Sequence, residues 1–287
     1  MRRSCRHILA AGALATTLAA CGDSSAPDND PLPDNAATAV GLTVRDNVEA
    51  SLDAFFPARL LQPFTIGPVD DPCVTPSSAV ETDGEGVPDD ATYTFTAPPC
   101  RYEGVRGFNL DVVGQLRIVD PAPESPGFGA DISLTALRFS FTADDADKNY
   151  SVIRNGSMAL TGSPAGLELA TDLQVQRSFT GLSDASAELV WTVGFDPETS
   201  LQINQALPNG SVTVSGTVGW SRSDESFDLT ITTATPLHYD ASCTALGQRF
   251  DDGELRVSGT FGETPGYVRI TWQDCADDPA IEFVAEE

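Results

Sequence analysis

Leu167-Glu168-Leu169-Ala170-Thr171-Asp172-Leu173-Gln174-Val175-Gln176-Arg177-Ser178-Phe179 sets Leu167, Leu169, Leu173, Val175 and Phe179 on one parity. Side chains of a strand point alternately to its two faces, so this period gives one apolar and one wet face. The same period recurs upstream at Phe108, Leu110, Val112, Leu116 and Ile118. Downstream it returns at Leu189, Trp191, Val193 and Phe195, then at Val212, Val214, Val218 and Trp220. Leu229-Ile231, Leu255-Val257-Phe261 and Val268-Ile270-Trp272 complete the series. The intervening positions are mostly Thr, Ser, Asp, Gln, Glu and Arg, as in an antiparallel sheet wetted on one side. Arg117, Arg138, Arg256 and Arg269 fall on that wet face, which is a candidate interaction surface. Between Ile132-Leu134 and Leu137-Phe139-Phe141 the parity slips by one, which places a β-bulge near Ala136.

Turns are expected at Asp196-Pro197, Asn155-Gly156 and Asp251-Asp252-Gly253 from their residue types. A weak internal repeat links Asn155–Ser163, Asn209–Thr217 and Asp252–Thr260, each reading turn, apolar, x, apolar, Ser/Thr, Gly, Ser/Thr. It suggests one hairpin unit reused within a sheet, and its uneven spacing excludes a regular solenoid. The expected fold is mainly all-β. It is a large curved antiparallel meander of about 10–12 strands, partly or fully closed into a barrel, with a β-sandwich as the alternative. An outer-membrane barrel would carry aromatic girdles, and three Trp with 8% aromatics do not supply them.

One helix precedes the strands. Val40, Val44, Val48, Leu52, Phe55 and Phe56 recur at three- and four-residue steps across 40–61, and Pro57 stops the regular part. The expected placement is on the sheet or plugging its mouth.

The chain of 287 residues carries 16 Lys plus Arg against 42 Asp plus Glu, a formal charge of −26. Lys148 is the only lysine. Such a balance excludes a general nucleic-acid binder and favours a soluble, monomeric body. With 41% hydrophobic residues the chain buries a core.

The N-terminus carries an address. Arg2, Arg3 and Arg6 precede an apolar run from Ile8 to Ala20, followed by Cys21. A basic start, a short apolar stretch and small residues before a cut describe a secretory signal. The run is shorter than the roughly 20 residues that a spanning helix needs. Leu18-Ala19-Ala20-Cys21 resembles the lipobox of bacterial lipoproteins. The resemblance implies removal of residues 1–20 and lipidation of Cys21, including an acyl chain such as palmitate on the new amino terminus. Several chains on one residue give stable membrane anchoring. Residues 21–38, rich in Asp and Pro, read as the lipidated Cys and an extended tether, and 39–287 as a single β-rich domain. The address is then the cell envelope, at the outer membrane in a Gram-negative cell.

With Cys5 cut away and Cys21 lipidated, Cys73, Cys100, Cys243 and Cys275 remain. In an oxidising compartment they read as disulfides, and Cys73–Cys100 with Cys243–Cys275 is the expected pairing among three. A four-cysteine zinc site lacks the usual close spacing.

The acidic run Glu81-Thr82-Asp83-Gly84-Glu85-Gly86-Val87-Pro88-Asp89-Asp90 alternates oxygen-bearing side chains and places Gly at the sixth position. Hard cations such as Ca²⁺ take oxygen ligands, and Gly permits the sharp turn of a cation loop. The stretch resembles one unit of the thrombospondin type 3 calcium repeats. That resemblance implies Glu81, Asp83 and Glu85 as side-chain ligands, Val87 as a carbonyl ligand, and Asp89 or Asp90 as a late ligand. The alternative is a plain acidic loop.

Catalytic patterns are scarce. His238 is the only His after residue 20, and no Gly-x-Ser-x-Gly elbow accompanies it. It reads as a satisfied side chain near a disulfide. The expected function is a non-enzymatic envelope lipoprotein that is structural or binds an envelope protein. A carrier of a hydrophobic ligand is the alternative, and a carboxylate-dependent envelope hydrolase the third reading.

Overall fold

The alternating segments form twelve strands in a single antiparallel sheet, and the order of strands in the sheet is their order in the chain. The computed structural model describes residues 36–55, 74–77, 80–105, 108–142, 149–179, 184–203, 205–243, 249–275 and 277–286. The strands are β1 (Val74–Pro76), β2 (Asp90–Val105), β3 (Phe108–Val119), β4 (Ala130–Thr142), β5 (Tyr150–Ser163) and β6 (Gly166–Phe179). They continue with β7 (Ala185–Pro197), β8 (Gly210–Arg222), β9 (Glu225–Tyr239), β10 (Phe250–Phe261), β11 (Thr264–Trp272) and β12 (Ala280–Ala285). The edges β1 and β12 do not pair with each other, so the sheet stays open, neither a closed barrel nor a two-sheet sandwich.

The helix α1 spans Ala36–Ala54. Ala36, Ala37 and Thr38, read from sequence as the end of the tether, form its first turn, because alanine favours helix even before the apolar stripe begins. It ends ahead of Pro57, while residues 56–61 lie outside the described residues, as do Cys21, Cys73 and the whole 1–35 segment. No residue of α1 is exposed. A single sheet encloses a helix this fully only by curling around it. α1 packs against β7, β10, β11 and β12, and Gly41 lets it approach Ile281 of β12 closely.

The helix has three stripes. Val40, Val44, Val48 and Leu52 join the main apolar core. Thr43, Asn47 and Ser51 turn their side chains back onto the carbonyls of Ala39, Thr43 and Asn47 at 2.8–2.9 Å, so this polar stripe is satisfied by the helix's own backbone. Asp46, Glu49 and Asp53 form the third stripe, also buried.

The bulge expected near Ala136 is present. Ala136 has φ 46°, and the register shifts between Val113 and Gln115 on one side and between Leu134 and Leu137 on the other. Facing it, Gly114 has φ 123°, and a Cβ there would lie 2.4 Å from the Ala136 carbonyl oxygen, so only glycine fits. Asn155-Gly156 is not a turn but lies inside β5. The Asn155 Oδ1 accepts the Ala136 N–H at 2.6 Å, holding an amide that the bulge withdraws from the ladder. Asp251-Asp252-Gly253 likewise lies inside β10, where the register slips against β9 around Pro236, a residue with no N–H to donate. Asp196-Pro197 does end β7, and the Glu198 N–H donates to the Asn209 carbonyl at 2.9 Å. The three repeat copies therefore share a strand sequence on β5, β8 and β10 rather than one hairpin unit. Cys243 and Cys275 form a disulfide that ties the end of the β9 hairpin to the β11–β12 connection. Cys100 is fully buried, and its expected partner Cys73 falls outside the described residues.

Candidate functional site

Two places gather chemistry: the groove that holds α1, and the loop between β1 and β2. In the groove, the acids of α1 meet arginines. Asp46 Oδ2 pairs with Arg177 Nη2 of β6 at 2.7 Å, and Asp46 Oδ1 pairs with Arg45 Nη2 at 2.8 Å. Asp53 Oδ1 pairs with Arg249 Nη2 at 2.9 Å. Burial alone would raise the Asp46 pKa, but Arg177 and Arg45 outweigh it and hold the carboxyl below its ordinary range. Glu49 is 7% exposed and its Oε1 has no hydrogen-bond partner. Burial pushes it up to about 7, Asp46 adds to the rise, and Arg45 and Arg249 oppose it. Arg154 of β5 is pulled down to about 10 by burial and by the like charge of Arg177, and its Nε is unpartnered.

A cavity remains between α1 and the sheet, walled by Leu116, Leu134, Leu137, Phe139, Leu173 and Trp191, with Asn47, Ser51, Asp53 and Arg154 at its polar side. The space open to the centre of a water molecule is 40 Å³. That is room for roughly three waters. With α1 in place, that space is smaller than an acyl chain.

The second place is the acidic run 81–90, which the structure sorts in a way the sequence does not. Glu81 is exposed, and its Oε1 accepts the Gly86 N–H at 3.1 Å. Asp89 caps Thr82, with Oδ1 taking the backbone N–H at 3.0 Å and Oδ2 taking the hydroxyl at 2.6 Å. Asp90 pairs with Arg117 on the wet face at 2.7 Å. The Val87 side chain belongs to the apolar core. Of the expected ligands, Asp83 and Glu85 come together, and a residue not anticipated joins them: Asp120, directly after β3. The pairing of Asp90 with Val119 in the β2–β3 hairpin carries Asp120 to this loop, where its N–H donates to the Pro88 and Asp89 carbonyls. No spacing in the sequence announces it; only the register of that hairpin does.

Each of these three carboxylates spends one oxygen on a backbone amide. Asp83 Oδ1 accepts from Glu85 N at 3.2 Å, Asp120 Oδ1 from Ala122 N at 2.8 Å, and Glu85 Oε2 from Gly127 N. The other oxygen of each, Asp83 Oδ2, Glu85 Oε1 and Asp120 Oδ2, is buried without a partner. One carboxylate oxygen from each residue lies within 4.8 Å of the others.

His238 sits apart from both places. Asp251 holds its Nδ1 at 2.6 Å and Glu198 faces its Nε2 at 3.3 Å. The hydrogen bond to Asp251, and then that to Glu198, raise its pKa above the ordinary histidine value. With a carboxylate on each ring nitrogen, the imidazole presents no free nitrogen to a nucleophile in this arrangement. The arginines expected on the wet face lie there, but Arg117, Arg256 and Arg269 are paired with Asp90, Glu254 and Glu282.

Fold and site together define an open antiparallel meander wrapped around its own N-terminal helix. Comparison with protein-family models, with curated proteins and with solved structures finds no match to this chain. Among the described residues, no helix is long and apolar enough to cross a membrane.

Proposed function

We propose that this chain is a membrane-anchored lipoprotein of the cell envelope, held by lipidated Cys21, whose folded body is a non-enzymatic scaffold that engages an envelope partner. The observation that carries the reading against a lipid carrier is the occupied groove. The apolar face that a carrier would offer to cargo is covered by α1, which ion pairs to Arg177 and Arg249 fasten in place. The remaining 40 Å³ is too small for a lipid tail. The wet face of the sheet, rich in Thr and Ser with Arg117, Arg256 and Arg269 paired, is left for contact with a protein.

The test uses the full chain expressed in its own host. Wild type and Cys21→Ser are compared by palmitate labelling and detergent phase partition, and the purified wild type by native mass spectrometry. The expected result is label and detergent partition for the wild type only, with no further lipid released on denaturation. An unlabelled, water-soluble wild type would refute the anchor. A lipid released in one-to-one ratio from the body would refute the scaffold reading in favour of the carrier.

A further inference from the structure

We infer that Asp83, Glu85 and Asp120 form a Ca²⁺ site that joins the β1–β2 loop to the connection after β3. The inference stands apart from the anchoring and scaffold reading. It begins with three orphaned oxygens. Glu85 is 4% exposed and Asp120 5%, yet each leaves a carboxylate oxygen with neither water access nor a hydrogen-bond donor. Asp83 adds a third. A buried acceptor without a donor is costly, and three carboxylates gathered this closely are costlier, because like charges repel in a low dielectric. Among the described residues, the charged groups that act on Glu85 are carboxylates: Asp120, Asp83 and Glu81.

The geometry suits the cation that would relieve this. Ca²⁺–oxygen distances of about 2.3–2.6 Å put ligands on opposite poles of the ion about 4.8 Å apart and adjacent ligands closer. The three carboxylate oxygens fit within that span. One oxygen of each carboxylate is fixed by a backbone N–H, so the groups are held in place before the ion arrives. Gly84 and Gly86, with φ of 85° and 84°, wind the loop so that Asp83 and Glu85 converge. All-oxygen, carboxylate-rich coordination selects a hard ion over zinc. Mg²⁺ demands tighter octahedral geometry and sheds its water reluctantly.

This ligand set is not the one that the run 81–90 implies on its own. Asp89 and Asp90 are committed to Thr82 and Arg117, and the far ligand is Asp120. A bound ion would therefore cross-link two segments of chain, with Glu85 already bonded to Gly127 across the same gap.

The test is calorimetric titration of the full chain, stripped with chelator and kept folded, with CaCl₂ up to about 5 mM, a ceiling above the weakest extracellular calcium modules. Thermal unfolding in calcium and in chelator accompanies it. One ion per chain is expected, with a higher melting temperature in calcium and no comparable shift from MgCl₂. Asp120→Asn should weaken binding about tenfold or more, whereas Asp90→Asn should leave it within about twofold. Asp83→Asn, at a half-buried position, provides the same reading if Asp120→Asn does not fold. Absence of stoichiometric calcium uptake by the folded wild type would overturn the site. So would Asp120→Asn and Asp83→Asn variants that bind as the wild type does, or a loss of binding in Asp90→Asn equal to theirs.

Discussion

Replacing Glu49 by Gln should make the protein more stable at alkaline pH and nearly neutral in effect at acid pH. Glu49 lies in the middle of α1, 7% exposed, with one oxygen unpartnered, and burial lifts its pKa from 4.5 to about 7. A carboxyl whose folded pKa is raised keeps its proton in the folded chain while the unfolded chain has lost it. Its contribution is therefore complete below about pH 4.5 and is lost as pH rises toward 7. The shift of roughly 2.5 units corresponds to about 3 kcal/mol lost across that window. Gln cannot ionise and stands in for the protonated acid, so the variant lacks this loss. Urea unfolding of both proteins at about pH 4.5 and about pH 8.5, with calcium held constant, should show curves that agree within about 1 kcal/mol at the lower pH. At the higher pH the variant should be about 3 kcal/mol more stable, or melt roughly 6–12 °C higher. Glu85 and His238 titrate with the same sign, but they do so in both proteins and cancel in the difference. If the gap between the two proteins is the same at both pH values, Glu49 is not a buried proton holder and the reasoning fails.

Arg177→Met strips Asp46 of one of its two arginines inside the groove and should cost about 3 kcal/mol. Pairing it with Asp46→Leu should recover at least about 1 kcal/mol relative to the sum of the single changes, and strict additivity in a double-mutant cycle would show that the pair is not coupled. Gly216→Ala places a Cβ 2.3 Å from the Val190 carbonyl oxygen at φ +150°, and rigid backbone cannot yield. A loss of about 2 kcal/mol or more is expected in denaturant unfolding, against less than about 1 kcal/mol for Gly219→Ala, whose nearest neighbour is the Glu188 side chain at 3.6 Å. Removing the Cys243–Cys275 bridge with a double Ala variant opens a loop of 32 residues and should cost about 3–4 kcal/mol by the chain-entropy argument. An unchanged denaturation midpoint would mean that the surrounding structure already holds those ends.

Much of the sheet was legible because period-two alternation is a local signal, readable strand by strand. The slip at Ala136 was legible for the same reason, since a bulge shifts parity wherever it occurs. The partner that stabilises it was not. Asn155-Gly156 carries turn chemistry, yet Asn155 uses its side chain across the sheet, and only the pairing of β4 with β5 reveals that use. The same limit applied at the acidic loop. Asp83 and Glu85 could be picked out from spacing, whereas Asp120 is brought in by the β2–β3 register. The groove ion pairs left a fainter trace. Arg177 shares the parity of Leu173 and Val175, which face the core, so a charge stands where a hydrophobe was due. Its meaning appears only once a helix with Asp46 lies opposite. The helix itself was found by its apolar stripe, but its other two stripes were hidden because polar residues on a helix ordinarily face water.

Asp53 and Arg249 lie 196 residues apart in the chain, although they touch in the fold. Every strand pairs with its immediate predecessor, so the sheet can grow one hairpin at a time. α1 is made before any strand, and its floor, β10 to β12, comes last. Until those strands pair, α1 lacks the floor it packs on. Throughout that interval a segment of 19 residues has no sheet to lie on, and most of a helix's stability in a protein comes from such packing. The acids and hydroxyls that look misplaced in the finished interior suit that interval, because they keep the waiting segment in water. Docking of α1 is then a late event of folding, because the strands it packs against include β10 to β12.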